Sequence, residues 1–315
     1  MARTAVVLMN LGGPDSPKAV GPFLRNLFSD RAIISLPQPL RGMLAWFIAR
    51  KRLAVARDIY DHLGGGSPLL ANTEAQASAL EEELGSQYRC FIAMRYWHPM
   101  IDETVAAVKA WEPDKIVCLP LYPQFSTTTT QSSLALWRAE TARQGLGGKI
   151  RVVQSYPTAP GFIAALAGLI EPVLQDAQNL YPTRLLLSAH GLPLKIVKAG
   201  DPYPQQIEQT ARALIASLNQ PDLGWTVCYQ SRVGPLAWLG PGTDDEIRRA
   251  GRDGVAVVIA PISFVSEHSE TLVELDRDYC RLAETCGVPA YYRIPAVGID
   301  PRFIAALVEL IEAAA

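Results

Sequence analysis

Histidine and cysteine are scarce in this 315-residue chain, with four of the first and five of the second. The cysteines, Cys90, Cys118, Cys228, Cys280 and Cys286, are odd in number, and three sit in strand-like apolar runs where cysteine behaves as a small hydrophobe. Cys280 and Cys286 stand at a spacing that matches no familiar zinc motif, so neither a disulfide scaffold nor a caged structural metal is expected. An excess of one charge is also missing: 29 Lys+Arg against 31 Asp+Glu leave −2, without the basic balance that phosphate binding requires. Nucleic acid is therefore not an expected partner. Long hydrophobic runs are absent as well. The opening stretch TAVVLMN meets Gly12-Gly13-Pro14 before it could span a bilayer, and it lacks the small-residue cleavage site of a secretory signal. Cytoplasm is the expected location. With 49% hydrophobic and 19% charged residues, the chain has apolar material for one large or two ordinary domains, which excludes intrinsic disorder.

What is present is an alternation. The runs TAVVLMN, YRCFIAM, KIVCLPL, RLLLSAH, WTVCYQ and VAVVIAP read as buried strands, each followed by a turn signal and a helical pattern. Continuous apolar strands separated by helices imply a parallel sheet covered on both faces. Helices are expected near 16–29, 41–60, 70–85, 101–111, 128–143, 161–178, 202–219, 242–251, 268–286 and 301–313. A faint repeat relates Asn10-Leu11-Gly12-Gly13-Pro14 to Ala189-His190-Gly191-Leu192-Pro193, and Leu119-Pro120 to Ala260-Pro261. The expected fold is α/β, two similar doubly wound, Rossmann-like lobes with parallel sheets and a ligand cleft between them. The stretch 154–160, QSYPTAP, is the nearest approach to a boundary. It divides a first lobe of 1–155, completed by a C-terminal helix over 300–315, from a second lobe of 156–299.

Few residues could carry chemistry. His190 closes a strand and precedes a sharp turn, where rigid backbone can aim an imidazole as a ligand or proton acceptor. A second cluster runs from Glu267 to Asp278 directly after a buried strand. It should open a helix, with Ser266 as a candidate N-cap. At α-helical spacing Glu267, Glu270, Glu274 and Asp278 share a stripe roughly 80° wide. Like charges so spaced destabilise a helix unless cations intervene, and the nearby candidates are Arg277 and Arg281. Imidazole and carboxylates form a donor set suited to ferrous iron and its neighbours, bound in passing rather than caged. Arg95-Tyr96-Trp97-His98-Pro99, Tyr122, Gln230-Ser231-Arg232 and Trp238 could line a flat apolar ligand with acidic groups at its edge. Gly64-Gly65-Gly66-Ser67-Pro68 resembles a phosphate loop only superficially, lacking the Lys-Ser/Thr ending. Residues 39–52, PLRGMLAWFIARKR, combine apolar and basic side chains in a run suited to lying on a membrane surface.

In their order along the chain, these segments resemble the ferrochelatases, which insert ferrous iron into a porphyrin as the last step of haem synthesis. The resemblance runs from Asn10-Leu11-Gly12-Gly13-Pro14 through Gly64 to Pro68, Arg95 to Pro99, Tyr122 to Ser126, Ser188 to Pro193, Gly200 to Gln205, Gln230 to Pro235 and Trp238 to Pro241, ending in the segment Ser266 to Asp276. It implies that His190 and Glu270 act catalytically at the iron and pyrrole-nitrogen site, with Glu274 and Asp278 continuing an acidic metal path along a partly π-wound helix. It also implies that Arg95, Tyr96, Tyr122 and Trp238 line the macrocycle cavity, while Arg52, Tyr60, Ser67 and Ser231 stand near the propionates. Leu11 occupies the position where coproporphyrin-using relatives carry a metal-binding tyrosine, so protoporphyrin IX is the expected substrate beside Fe2+. Animal members hold a [2Fe-2S] cluster on C-terminal cysteines and a further cysteine at the position of Thr127. This chain has no cysteine after Cys286, and no cofactor is expected.

The chemistry so implied removes two pyrrole protons and exchanges iron's water shell for four nitrogens, aided by distortion of the macrocycle. Two alternatives share parts of this pattern: a cobalt or nickel chelatase acting on sirohydrochlorin, and a non-catalytic tetrapyrrole-binding protein. Peripheral contact with the inner face of the cell membrane through residues 39–52 is the further expectation.

Overall fold

The computed structural model describes residues 2–146 and 149–315. Two compact units emerge, Met1–Ser155 with Leu307–Ala315, and Tyr156–Ala306. In the first, the elements run β1 (Thr4–Asn10), α1 (Val20–Phe28), α2 (Leu40–Asp61), α3 (Leu69–Leu84), β2 (Tyr88–Met94), α4 (Ile101–Trp111), β3 (Lys115–Pro120), α5 (Thr130–Gln144) and β4 (Lys149–Val152). In the second, they run α6 (Pro160–Leu180), β5 (Thr183–His190), α7 (Leu194–Lys198), α8 (Tyr203–Leu218), β6 (Gly224–Gln230), α9 (Thr243–Asp253), β7 (Ala256–Pro261), a π-helix (Glu270–Tyr279), α10 (Cys280–Thr285) and β8 (Tyr291–Arg293). The last helix, α11 (Pro301–Ala314), is divided at residue 306, whereas the sequence reading placed all of 300–315 in the first lobe. The reason is aromatic: Phe303 packs on Tyr156 and Phe162, with ring centroids 6.4 and 5.8 Å away, and so belongs with the second unit.

Each unit carries one four-stranded parallel sheet, and the strand orders match: β2-β1-β3-β4 and β6-β5-β7-β8. The faint sequence repeat is thus a repeat of topology. β1 and β7 are buried at every position, as strands covered on both faces must be. In the first unit Val7, Met9, Ile116 and Cys118 pack with Val105, Leu134 and the fully buried Trp137. In the second, Leu186, Cys228, Val257 and Ile259 pack with Ile247, Leu275 and Ala283.

The loop Gly64 to Pro68 is packed by its backbone. Ser67 N–H donates to the Pro14 carbonyl at 2.7 Å, and a Cβ on Gly66 would stand 2.8 Å from the Asp15 carbonyl oxygen. This loop needs glycine because backbone meets backbone, where it packs on the turn that follows β1.

Candidate active site

His190 is the last residue of β5, the central strand of its sheet, and three contacts fix it. Its backbone N–H donates to Ser263 Oγ at 3.2 Å, and its carbonyl accepts from the Tyr203 hydroxyl at 3.1 Å. Its Nδ1 lies 2.8 Å from Glu270 Oε2. A carboxylate facing Nδ1 selects the tautomer that donates from that nitrogen, leaving the Nε2 lone pair available to accept a proton or bind a metal. The imidazole side chain is 43% exposed, so Nε2 can be reached. Burial works against the charged ring, yet the Glu270 carboxylate, its hydrogen bond and the charge of Glu274 together raise the His190 pKa above its ordinary value. Burial likewise opposes the ionised carboxyl of Glu270, but His190 wins and holds it at about 2.

Glu270 opens the π-helix. The winding is the π-winding that the resemblance implied, but the N-cap expected from spacing alone is not found: Ser269 stands at the cap position with no side-chain cap bond, and Ser266 is buried in the preceding bend. A π-helix bonds i to i+5, so residues five apart share a face. Tyr279, five residues after Glu274, donates its hydroxyl to Glu274 Oε1 at 2.9 Å. Glu274 also accepts from Ser231 N–H at 2.8 Å, Ser231 Oγ at 2.5 Å and Gln230 Nε2 at 3.2 Å. Even so, burial and the neighbouring Glu270 raise its pKa. The two carboxyls are pushed in opposite directions, a difference that separates a permanent counter-ion from a group able to take up a proton.

The acidic stripe divides. Glu267 precedes the π-helix and is bound by Arg293 and by Ala296 N–H. Asp278, 47% exposed, accepts from its neighbour Arg277 at 2.7 Å and makes no bond to Glu270 or Glu274. Among the described residues no cluster of three or more His, Cys, Asp or Glu is arranged to hold a metal ion. What stands together is a pair, His190 with Glu270, backed by Glu274. Beside Glu274 a pocket of about 470 Å³ is lined by Arg232, Gly234, Leu236, Trp238, Asp244 and Tyr279. Trp238 Nε1 is buried there without a hydrogen-bond partner among the described residues. Ser231, read as a propionate group, spends its N–H and hydroxyl on Glu274, and its backbone is left-handed with φ 59°.

In the first unit the candidates form one network and one apolar cluster. Arg95 Nη2 donates to Asp30 Oδ2 at 2.8 Å and its Nε to Ser132 Oγ at 2.9 Å. Tyr96 is 1% exposed, with its hydroxyl on Asp30 at 2.7 Å. It is a core tyrosine, joined in its cluster by Tyr60 and the partly buried Leu11. Burial also raises the Tyr122 phenol well above its ordinary value. Arg52 lies over the Phe28 ring at 5.9 Å. Ser67 Oγ accepts from Leu69 N–H at 3.3 Å, near the start of α3.

The sequence reading gave no role to Asp30, His268, Tyr279 or Arg293, and Gln230 only a place in the ligand lining. Gln230 is fully buried, accepts from Ser188 Oγ at 2.8 Å and donates to the Glu270 carbonyl at 3.0 Å. His268 packs edge-on against Phe264, and burial lowers its pKa. Its place in the segment Glu267 to Asp278 was the available signal. For Asp30 and Arg293 there was none, because their partners lie far away in the chain.

A family model described as ferrochelatase matches residues 3–315. A ferrochelatase of Caulobacter vibrioides is 54% identical over 98% of this chain and 89% of its own length. One from Wolbachia sp. subsp. Drosophila simulans is 48% identical over 98% of both chains. Among solved structures, SirB from Bacillus subtilis with Fe3+ superposes with a TM-score of 0.58 at 14% identity, covering 99% of this chain and 96% of that one. At that identity the likeness speaks for the chelatase fold alone.

Proposed function

Because the chain belongs to the ferrochelatase family and inserts ferrous iron into protoporphyrin as the terminal step of haem synthesis, we propose that His190 is its proton acceptor, with Glu270 as the counter-ion that holds it. The 2.8 Å contact between His190 Nδ1 and Glu270 Oε2 at the end of a central strand carries this reading. Metalation replaces two pyrrole N–H protons by one Fe2+. His190 Nε2 accepts the two pyrrole protons in turn, each imidazolium lying against a carboxylate that stays ionised and giving up its proton before the next is taken. Glu270, held at about 2, is a poor base and acts by charge. Glu274, with its raised pKa, suits the passage of a proton away from the pair. No resident cofactor enters, and iron is substrate. The test is His190→Ala, assayed anaerobically with protoporphyrin IX and Fe2+. Iron insertion is expected to be nearly abolished, while porphyrin binding, read by fluorescence quenching, persists. Wild-type turnover in that variant overturns the assignment.

The finer reading concerns where porphyrin is collected. Leu40, Met43, Trp46 and Phe47 on α2 are 55%, 67%, 53% and 59% exposed, and Leu36 before the helix is 39% exposed. Such a run of large apolar side chains beside Arg41, Arg50, Lys51 and Arg52 is costly in water and matches an anionic lipid surface. Among the described residues no helix is long and apolar enough to cross a membrane, so the contact is peripheral. Anionic liposomes at low salt should float the wild type but not a Trp46→Ser/Phe47→Ser double variant. Failure of the wild type to float removes this part of the reading.

A further inference from the structure

We infer that Arg293 is a positioning residue for metalation, which from the edge strand β8 sets where the π-helix presents Glu270 and Glu274. The guanidinium spans two anchors. Its Nη1 donates to Glu267 Oε1 at 2.5 Å, and its Nε and Nη2 grip both oxygens of Asp276 at 2.5 Å each. Glu267 lies three residues before Glu270, and Asp276 lies two after Glu274, so the anchors bracket the two site carboxylates. Tyr291, two residues earlier and on the same face of β8, donates its hydroxyl to the Leu275 carbonyl at 2.8 Å. One short strand thus holds the π-helix by two side chains and a backbone oxygen.

Two physical arguments give this grip a purpose. π-winding is rare beyond a single turn, and the segment ETLVELDRDY contains neither glycine nor proline to break an α-helix, so tertiary contacts must impose it. A planar guanidinium with a bidentate partner also fixes direction as well as distance, which a point charge does not. Arg293 further neutralises Glu267 and Asp276, leaving Glu270 to His190 and Glu274 to its neutral donors. Loss of the fork would both unseat the helix and release two carboxylates that compete for a divalent cation.

The inference rests on the roles given to His190 and Glu270, so His190→Ala is the reference: turnover in that variant removes those roles, independently of Arg293. The test is steady-state metalation by Arg293→Gln and Arg293→Lys, well below their melting temperatures. Arg293→Gln should lower kcat by about 10- to 100-fold, as loss of a group that orients metal-site ligands does. Porphyrin affinity should be unchanged, and Arg293→Lys should recover only part of the rate. A lower melting temperature with wild-type kcat and KM for iron would mean a merely structural arginine and overturn the inference. Should Arg293→Gln fail to fold, Tyr291→Phe, which removes one neutral hydrogen bond and no charge, carries the test. About a threefold drop in kcat supports the positioning role, and unchanged kinetics contradict it.

Discussion

At the scale of single residues, the site works by giving three carboxylates different surroundings. Glu270 is held by an imidazole, Glu274 by hydroxyls, an amide and a backbone N–H, and the exposed Asp278 by Arg277 beside it. Exposed ion pairs contribute little, so Asp278→Asn should change kcat and the KM for iron by less than about twofold. Glu274→Gln, which places a neutral group among four donors, should disturb the KM for iron far more. Steady-state assays with iron varied will rank the two, and equal effects would restore a continuous acidic stripe. Stability follows the same logic. The folded-state pKa of Glu270, about 2, lies below the ordinary carboxylate value, so its contribution is complete above the ordinary value and is lost as pH falls toward 2. Its partner His190 is raised, so the gain they share is complete below about pH 6.5 and fades as pH rises through the folded value. Melting curves should therefore separate wild type from Glu270→Gln most widely between those limits.

At the scale of elements, the close packing of helices makes one glycine indispensable. A Cβ on Gly251 in α9 would stand 2.2 Å from the carbonyl oxygen of Cys286, just beyond α10, with no flexible side chain to yield. Gly251→Ala should destabilise the protein by about 1–3 kcal/mol, read as a melting temperature several degrees lower. Because α10 continues directly from the π-helix, iron insertion should also slow. How far elements can be read from sequence depends on what signals them. Strands β1, β3, β5 and β7 are continuous apolar runs bounded by turns, and they stand where the sequence reading puts them. The edge strands β4 and β8 escape it: KIRV alternates apolar with charged residues, and YYR spans only three positions. The start of the acidic helix was misplaced for a related reason. An N-cap serine and α-helical spacing are local signals, whereas this winding is held by Arg293 and Tyr291 from a strand that the local pattern does not reveal. Of the expected neutralisers Arg277 does pair with Asp278, while the partner of Glu267 and Asp276 is Arg293, which the local pattern did not reveal.

At the scale of the whole molecule, two sheets of identical strand order diverge in chemistry. The central strands β1 and β5 end in Asn10 and His190, although the repeat aligns Asn10 with Ala189 and His190 with Leu11. Asn10 is spent on structure: its amide donates to Thr73 Oγ1 at 3.1 Å and its oxygen accepts from Leu11 N–H at 2.8 Å. His190 instead meets a carboxylate brought by a π-helix to which the first unit offers no counterpart among the described residues. The repeat was legible because paired turns recur in the chain, and the asymmetry was legible as a histidine among only four. The fixed geometry of the pair was not, since 80 residues separate its members. The central claim, that a neutral His190 supported by Glu270 takes the proton, is tested most directly by the pH dependence of kcat/KM for anaerobic iron insertion. The wild type should show an acid limb, activity rising with pH through a midpoint above the ordinary histidine value of about 6.5. Glu270→Gln, which removes the charge that raises His190, should move that midpoint to lower pH while reducing the plateau. An acid limb at the same pH in both proteins would contradict the account.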